Sequence, residues 1–327
     1  MKSHTFLAVV LSVLFANVAN AQLKIYYIRH AEGGHNVKKA WQAKGIPEAQ
    51  WPAYVGDANA FTPKGLAQVK DATKKLQNYK FELIATSPAW RAHNTITPYL
   101  KVTKQKTEIW PELREGPGMK TILSDDIPEV KEDILNKGTA IVVTEEEAGH
   151  LSIRPDAENN YKKYSKSASE EEKVAYMKHA SLHAIKLIEK RFGGTDQSIL
   201  LAGHNSAGVS LMKLLLKKAP TGKATRRGLT NTGIWMAEQQ EDGSYELKIY
   251  NDEPYSEATA DDSIDSAQKK ADRLVHGKDA SHGSDNKRKV KTTSFMNCSP
   301  LLLREFLSLL TEGAMRMTRK TRLQKIL

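Results

Sequence analysis

The sequence predicts an α/β protein, a three-layer α/β/α sandwich around a mainly parallel central sheet. Three observations carry that expectation. Short apolar, β-branched runs alternate with longer stretches of helical periodicity. Several of those runs stop abruptly at polar or small residues where the next helix begins. The chain has 327 residues, 40% of them hydrophobic and 27% charged, which is enough to build a sizeable core.

Leu23–Arg29 reads as the first strand, delivering His30 to a loop that contains Gly33 and Gly34. Ala40–Phe61 holds Gly45, Pro47, Pro52, Gly56 and two tryptophans, and reads as an ordered loop with little regular structure. Thr62-Pro63 starts a helix, because threonine caps well and proline suits the first helical position. Leu66, Val69 and Leu76, with Ala67 and Ala72, give that helix one apolar face as far as Tyr79. Phe81–Ser87 is a second strand, and Ser87-Pro88 opens a second helix that reaches Val102. Glu108–Trp110 is a short third strand. From Asp125 to Ser169 the chain is polar, with one apolar patch at Ala140–Val143.

Glu170–Phe192 is a long helix stopped by Gly193-Gly194. Ser198–Ala202 is the fourth strand and Ala207–Lys218 another helix. Gly233–Glu238 and Tyr245–Tyr250 flank Glu241-Asp242-Gly243, a hairpin signal. Asn251–Pro254 closes the pattern. Tyr255–Thr293 is poor in large apolar residues and reads as disordered, with a short amphipathic helix at Pro300–Leu310 beyond it.

The two ends read differently from the middle. Lys2 and His4 precede an apolar run from Phe6 to Ala16, and Ala19-Asn20-Ala21 is a small-x-small cleavage site. Residues 1–21 are therefore expected to be a signal peptide, and the protein to be secreted. The apolar run is too short to span a bilayer. Three regions are thus expected: the signal peptide 1–21, a folded domain 22–254 and a basic tail 255–327. The formal net charge is +11. Residues 269–327 carry 14 Lys plus Arg against 5 Asp plus Glu, which leaves +2 for the rest of the chain. The basicity belongs to the tail, so nucleic acid is not an expected partner of the folded domain. The run Lys287–Lys291 is read as a solvated extension, and Asn297-Cys298-Ser299 is a glycosylation sequon. Cys298 is the single cysteine, so no internal disulfide is available.

Chemistry gathers where strands end. Arg29-His30 follows the first strand, Arg91 lies in the first turns of the helix after the second, and His204 follows the fourth. Glu112 and Glu115 follow the third. In a parallel sheet these ends converge on one edge, which is where open α/β sheets bind ligands. Two imidazoles, permanent guanidinium cations and a carboxylate suit a phosphoryl group. A helix N-terminus adds to the same anion-binding field. His179 and His183 stand four residues apart on a helix, as a zinc pair does, but no third ligand accompanies them; they read as a solvated face and no metal is expected.

These stretches resemble the signatures of the histidine phosphatase superfamily, in its phosphoglycerate-mutase-like branch. Arg29-His30-Ala31-Glu32 with Asn36 is similar to its Arg-His-Gly-Glu…Asn signature. Phe61-Thr62-Pro63-Lys64-Gly65-Leu66-Ala67-Gln68 resembles its Leu-Thr-x-x-Gly-x-x-Gln helix start, and Ser87-Pro88 with Arg91, Ala92 and Thr95 its Ser-Pro block. Leu113 and Glu115 resemble the acid segment, and His204 the second histidine. The resemblance runs from Leu23 to Asp252 in the family's order. It implies a phosphoglycerate mutase-like fold and a phosphorylated small-molecule substrate, with no cofactor. It also implies that His30 is the nucleophile, that Arg29, Asn36, Arg91 and His204 hold the phosphoryl oxygens, and that Glu115 handles the leaving group's proton. Ala31 replaces the usual glycine. Asn205 follows His204 where the acid-phosphatase and phytase branch carries aspartate, so that branch fits poorly.

Among activities, hydrolysis of phosphate monoesters through a phosphohistidine fits best. A glycolytic mutase belongs in the cytosol, which a signal peptide contradicts. The alternatives are a mutase-type phosphotransferase and a catalytically silent secreted binding protein on the same fold. A binder has no need of a nucleophile, which counts against the last.

Overall fold

The computed structural model describes residues 22–118, 139–157, 160–161, 164–220 and 228–256. The chain divides into two units, Met1–Val275 and His276–Leu327, and every described residue lies in the first. The expected signal peptide, the basic run Lys287–Lys291, the sequon at Asn297, Cys298 and the Pro300–Leu310 helix lie outside the described residues.

The elements alternate much as expected. Strand β1 is Lys24–Arg29, helix α1 Gly34–Ala43, α2 Pro63–Leu76, β2 Leu83–Thr86, α3 Trp90–Thr103 and β3 Thr107–Ile109. Next come β4 (Thr139–Ala140), α4 (Glu145–Ala148), β5 (Leu151–Ile153) and β6 (Asn160–Tyr161). The remainder is α5 (Glu170–Phe192), β7 (Ser198–Gly203), α6 (Asn205–Leu215), β8 (Ile234–Gln239), β9 (Tyr245–Tyr250) and β10 (Glu253–Pro254). The main sheet has eight strands in the order β10-β9-β8-β1-β7-β2-β3-β5. β1, β7, β2, β3 and β5 are parallel neighbours, and the β8–β9–β10 side is antiparallel.

Alternation along β1 builds the three layers. Ile25 and Tyr27 pack into one core with α5 and α6, through residues such as Ile185, Ile188 and Leu211. Tyr26 and Ile28 face the other way, against Leu76 of α2 and Ile96 and Leu100 of α3. Successive strand side chains point to opposite faces, so one buried strand feeds both cores. The sheet is an α/β/α sandwich, mostly parallel, as the sequence predicts.

Local chemistry explains the long helix. The Ser169 side chain accepts from Glu172 N–H while the Glu172 carboxylate accepts from Ser169 N–H, a reciprocal cap. Glu170–Glu172 suit the N-terminal end of the dipole, and Lys190 and Arg191 the C-terminal end.

Three expectations need correction. Helix α1 occupies the start of the stretch read as a loop, and a short 3-10 turn, Glu48–Gln50, lies within it. Its pattern was masked by glycines that packing requires: a Cβ on Gly34 would lie 1.5 Å from the Tyr54 carbonyl oxygen. Leu66 is 54% exposed, and the buried stripe of α2 is Gly65, Val69, Ala72 and Leu76. The polar stretch before α5 contributes β5, which pairs in parallel with β3 as the sheet's edge.

Candidate active site

Three adjacent strands, β1, β7 and β2, end side by side. The His30 N–H donates to the Gly203 carbonyl at 2.9 Å, and the Ser87 N–H to Ala202 at 2.8 Å, so the chain stays in register as it leaves the sheet. His30, His204 and Ser87 are thereby brought together. The two imidazole rings lie 5.3 Å apart, edge to face, and both residues are buried.

His30 Nδ1 lies 2.7 Å from the Ala31 carbonyl oxygen. A carbonyl can only accept, so Nδ1 carries the proton and Nε2 the lone pair. Burial pushes the His30 pKa down to about 3, against the pull of the Ala31 bond, and the nearby Arg91 and Arg29 cations lower it further. At neutral pH the ring is an uncharged base with one free lone pair.

His204 is fixed at both its main chain and its ring. The Tyr27 hydroxyl donates to the His204 carbonyl at 2.9 Å and accepts from the His204 N–H at 2.7 Å. Tyr27 itself is stacked on Trp235, ring centroids 5.4 Å apart and nearly parallel. Arg91 Nη2 donates to His204 Nδ1 at 3.3 Å, so the ring proton sits on Nε2 and is donated to Ser87 Oγ at 2.9 Å. Burial first, then the Arg91 charge, holds the His204 pKa well below the ordinary range.

The motif residues that touch no substrate hold the loop after His30. Thr95 Oγ1 accepts from Ala31 N–H at 2.8 Å and donates back to the Arg91 carbonyl at 2.7 Å. Gln68 Oε1 accepts from Glu32 N–H, also at 2.8 Å. The Thr62 hydroxyl donates to Glu32 Oε1 at 2.8 Å while capping α2 through Gly65 N–H at 2.9 Å. Gly65 is needed for closeness: a Cβ there would lie 2.1 Å from the Glu32 carbonyl oxygen. The spaced sequence blocks are thus one hydrogen-bonded scaffold around His30.

The charged residues divide into those at the site and those outside it. Arg91 is buried in the first turn of α3, where a cation opposes the helix field. Stability does not explain that placement. Its guanidinium is paired with the half-exposed Glu115 carboxylate, which puts the expected acid beside the two histidines. Arg29 donates to the Leu229 carbonyl at 2.6 Å. Burial draws its pKa down, with Glu115 acting in the opposite direction. Nε of both Arg29 and Arg91 is buried and has no hydrogen-bond partner among the described residues. Asn36 is not drawn in with them. It is exposed, and its Oδ1 accepts from Gly33 N–H at 3.0 Å, capping α1.

Glu112 goes elsewhere. It takes the Arg154 fork through two 2.8 Å bonds and lies 3.0 Å from His183 Nδ1. Burial pushes its carboxyl up, but the Arg154 bonds outweigh that and hold it below the usual range. Of the two candidate glutamates, only Glu115 reaches Arg91. His183 is spent on Glu112, and among the described residues no three His, Cys, Asp or Glu side chains gather as metal ligands do.

Sequence reasoning passed over three features. His35 is half-buried, its ring 5.4 Å from that of His30, with Nδ1 buried and unpartnered among the described residues. Its place two residues after the Gly33 cap was the available signal. The Leu229–Asn231 turn clamps the site from behind: Asn205 Oδ1 accepts from Leu229 N–H at 2.6 Å, and Asn231 Nδ2 donates to the His30 carbonyl at 2.9 Å. That gives Asn205, the departure from the aspartate branch, a structural role. Finally, a groove of about 810 Å³ runs from His35, Arg91 and Glu115 along α3 to Lys101. Its far wall is built by residues 140–151.

Residues 25–120 match the family model of the histidine phosphatase superfamily (branch 1). No curated protein sequence matches the chain. Among solved structures it is similar to YhfR of Bacillus stearothermophilus, at 18% identity over 72% of this chain and 98% of that one, with a TM-score of 0.44. It is similar also to a mycobacterial glucosyl-3-phosphoglycerate phosphatase (15% identity, 72% and 100% covered, TM-score 0.41). A phosphoserine phosphatase of Entamoeba histolytica gives 17% identity, 70% and 96% covered, and a TM-score of 0.41. The site is of phosphatase or phosphotransferase type. Residues 25–120, whose signature blocks are joined around His30, are thus the part of the chain that matches the histidine phosphatase superfamily (branch 1).

Proposed function

We propose that the protein is a secreted, metal-independent phosphatase that hydrolyses small phosphate monoesters through a phosphohistidine on His30. The observation that carries this reading is the bond from His30 Nδ1 to the Ala31 carbonyl. It fixes the tautomer that leaves Nε2 as a nucleophile.

In the first step Nε2 attacks phosphorus and the bond to the ester oxygen breaks. Arg29 and Arg91 offset the charge on the phosphoryl oxygens. The incoming anion competes with Glu115 for Arg91. Glu115, released from that pair, passes a proton to the departing alkoxide. In the second step a water attacks phosphorus, its proton goes to the Glu115 carboxylate, and the N–P bond breaks to release inorganic phosphate and neutral His30. His204 holds Nδ1 toward Arg91 and hydrogen-bonds a phosphoryl oxygen once protonated, which a bound dianion favours. Asn36, standing at the loop, contributes its Nδ2 at most from the rim.

Secretion rests on the charged, apolar and small-residue segments of residues 1–21. The test is release of phosphate from p-nitrophenyl phosphate by the full mature chain, with and without a chelator. Activity that survives chelation and is lost in His30→Ala is expected. Acid-labile, alkali-stable phosphate should accumulate on the wild type in a rapid quench. Turnover by His30→Ala, or loss with the chelator, would overturn the mechanism.

A further inference from the structure

Beyond the phosphoryl site, the groove along α3 has its own chemistry. From Arg91 to Lys101 the helix rises about 15 Å, so the groove has room for a leaving group well beyond the ester oxygen. Its far end brings His93, Glu147 and His150 together. His93 Nδ1 lies 3.8 Å from Glu147 Oε1. Asn94 Nδ2 donates to His93 Nδ1 at 3.2 Å and to the Trp90 carbonyl at 3.1 Å, which uses its donors and leaves Oδ1 as an acceptor. Glu147 Oε2 is held by the Thr144 N–H and hydroxyl at 3.0 and 2.9 Å, so the carboxylate is fixed while Oε1 has no hydrogen bond among the described residues. His150 lines the groove at 7% exposure, and its Nε2 has no partner among the described residues.

The charge at this end is one-sided. Lys101 is paired with Glu146 at 2.9 Å. Among the described residues Glu147 therefore stands as a carboxylate with no cation paired to it, beside two imidazoles. Burial pushes the His93 pKa down to about 4, so that ring is neutral at pH 7 despite Glu147. A second phosphate or a carboxylate on the leaving group would meet this carboxylate unpaired. An ammonium has three donors and no acceptor; Glu147 Oε1 and Asn94 Oδ1 are acceptors, and His150 Nε2 is one in its Nδ1-protonated tautomer.

We propose that the groove is a leaving-group subsite that selects phosphate monoesters whose alcohol carries an ammonium group, with Glu147 and His150 as its anchors. The inference rests on the phosphatase reading for the placement of the ester phosphate at Arg91 and His30. It concerns a different set of residues, so the two fail separately.

The test compares glucosamine 6-phosphate with glucose 6-phosphate, which differ by an ammonium for a hydroxyl on the same ring. Wild type is expected to favour the amino sugar in kcat/KM roughly tenfold, the worth of a charged hydrogen bond. Glu147→Gln keeps the capping oxygen for Thr144 and removes the charge, and should bring the two esters close to parity. No preference in the wild type, or a preference unchanged in Glu147→Gln, would overturn the proposal. p-Nitrophenyl phosphate checks the phosphatase reading alone. If it is not hydrolysed, titration calorimetry of both sugar phosphates into wild type and Glu147→Gln decides the groove. Tighter binding of the amino ester, lost in the variant, sustains it; equal or absent binding refutes it.

Discussion

Replacing Tyr27 by phenylalanine isolates the clamp on His204. The ring and its stack on Trp235 remain, and only the hydroxyl is lost. That hydroxyl serves two main-chain groups of one residue. The His204 carbonyl keeps a second partner, because Gly208 N–H donates to it at 2.9 Å. The His204 N–H has no such substitute and becomes a buried, unsatisfied donor. Such a group costs about 1–3 kcal/mol. Taking about 2 kcal/mol, the melting temperature should fall by about 4–8 °C for a domain of this size. The second consequence is catalytic. His204 no longer has a fixed main chain, so kcat should fall by about 10- to 100-fold at a temperature where the variant is fully folded, with KM much less affected. Circular dichroism melts and steady-state kinetics on p-nitrophenyl phosphate measure both. A variant that melts with the wild type and turns over at the wild-type rate would refute the reasoning. A lower melting temperature with unchanged kcat would reduce Tyr27 to a packing residue.

Other perturbations follow from the same structure. His30 and His93, lowered by burial to about 3 and about 4, bind fewer protons folded than unfolded. Their contribution is present in full above the unfolded value near 6.5 and is lost as pH falls toward 4 and 3. Each should cost about 2 kcal/mol between pH 7 and 5, and urea midpoints across that range should drop, less steeply in His93→Gln. Gly65→Ala, normally favourable inside a helix, should here lower the urea midpoint, because its Cβ would lie 2.1 Å from the Glu32 carbonyl oxygen and overpacking costs about 1–3 kcal/mol. Leu66→Gln should change stability by less than about 0.5 kcal/mol, since the side chain is already 54% exposed. A loss of several kcal/mol would restore Leu66 to the core.

How much was legible depended on how local the signal was. Helix α5 carries its start and stop in adjacent residues, Ser169 with Glu172 and then Gly193-Gly194, and its bounds match the sequence reading. The histidines and Arg91 were found because strand ends are marked by abrupt changes of residue type. Strand β5 was missed because three residues show no period, and it becomes a strand only through pairing with β3. Helix α1 was hidden because Gly33 and Gly34, the second demanded by the Tyr54 approach, look like loop signals. The wall at Thr144–His150 carries a local capping box, Thr144 with Glu147, which signals a helix start but no site. It acquires one only when the fold sets it across from His93 and Asn94.

The antiparallel side of the sheet closes on β10, two residues that include Pro254. Tyr255 N–H adds one more bond, to the Lys248 carbonyl at 2.8 Å. These few residues cover the outer row of backbone groups on β9, six residues long. At the opposite rim β5 is only three residues. Short, proline-bearing borders give another chain little to pair with. A protein cut after Asp252 would retain every histidine and arginine of the site yet bare the whole of Tyr245–Tyr250 as a template. Such a truncation should self-associate as its concentration rises, and extending it through Ser256 should restore a monodisperse species.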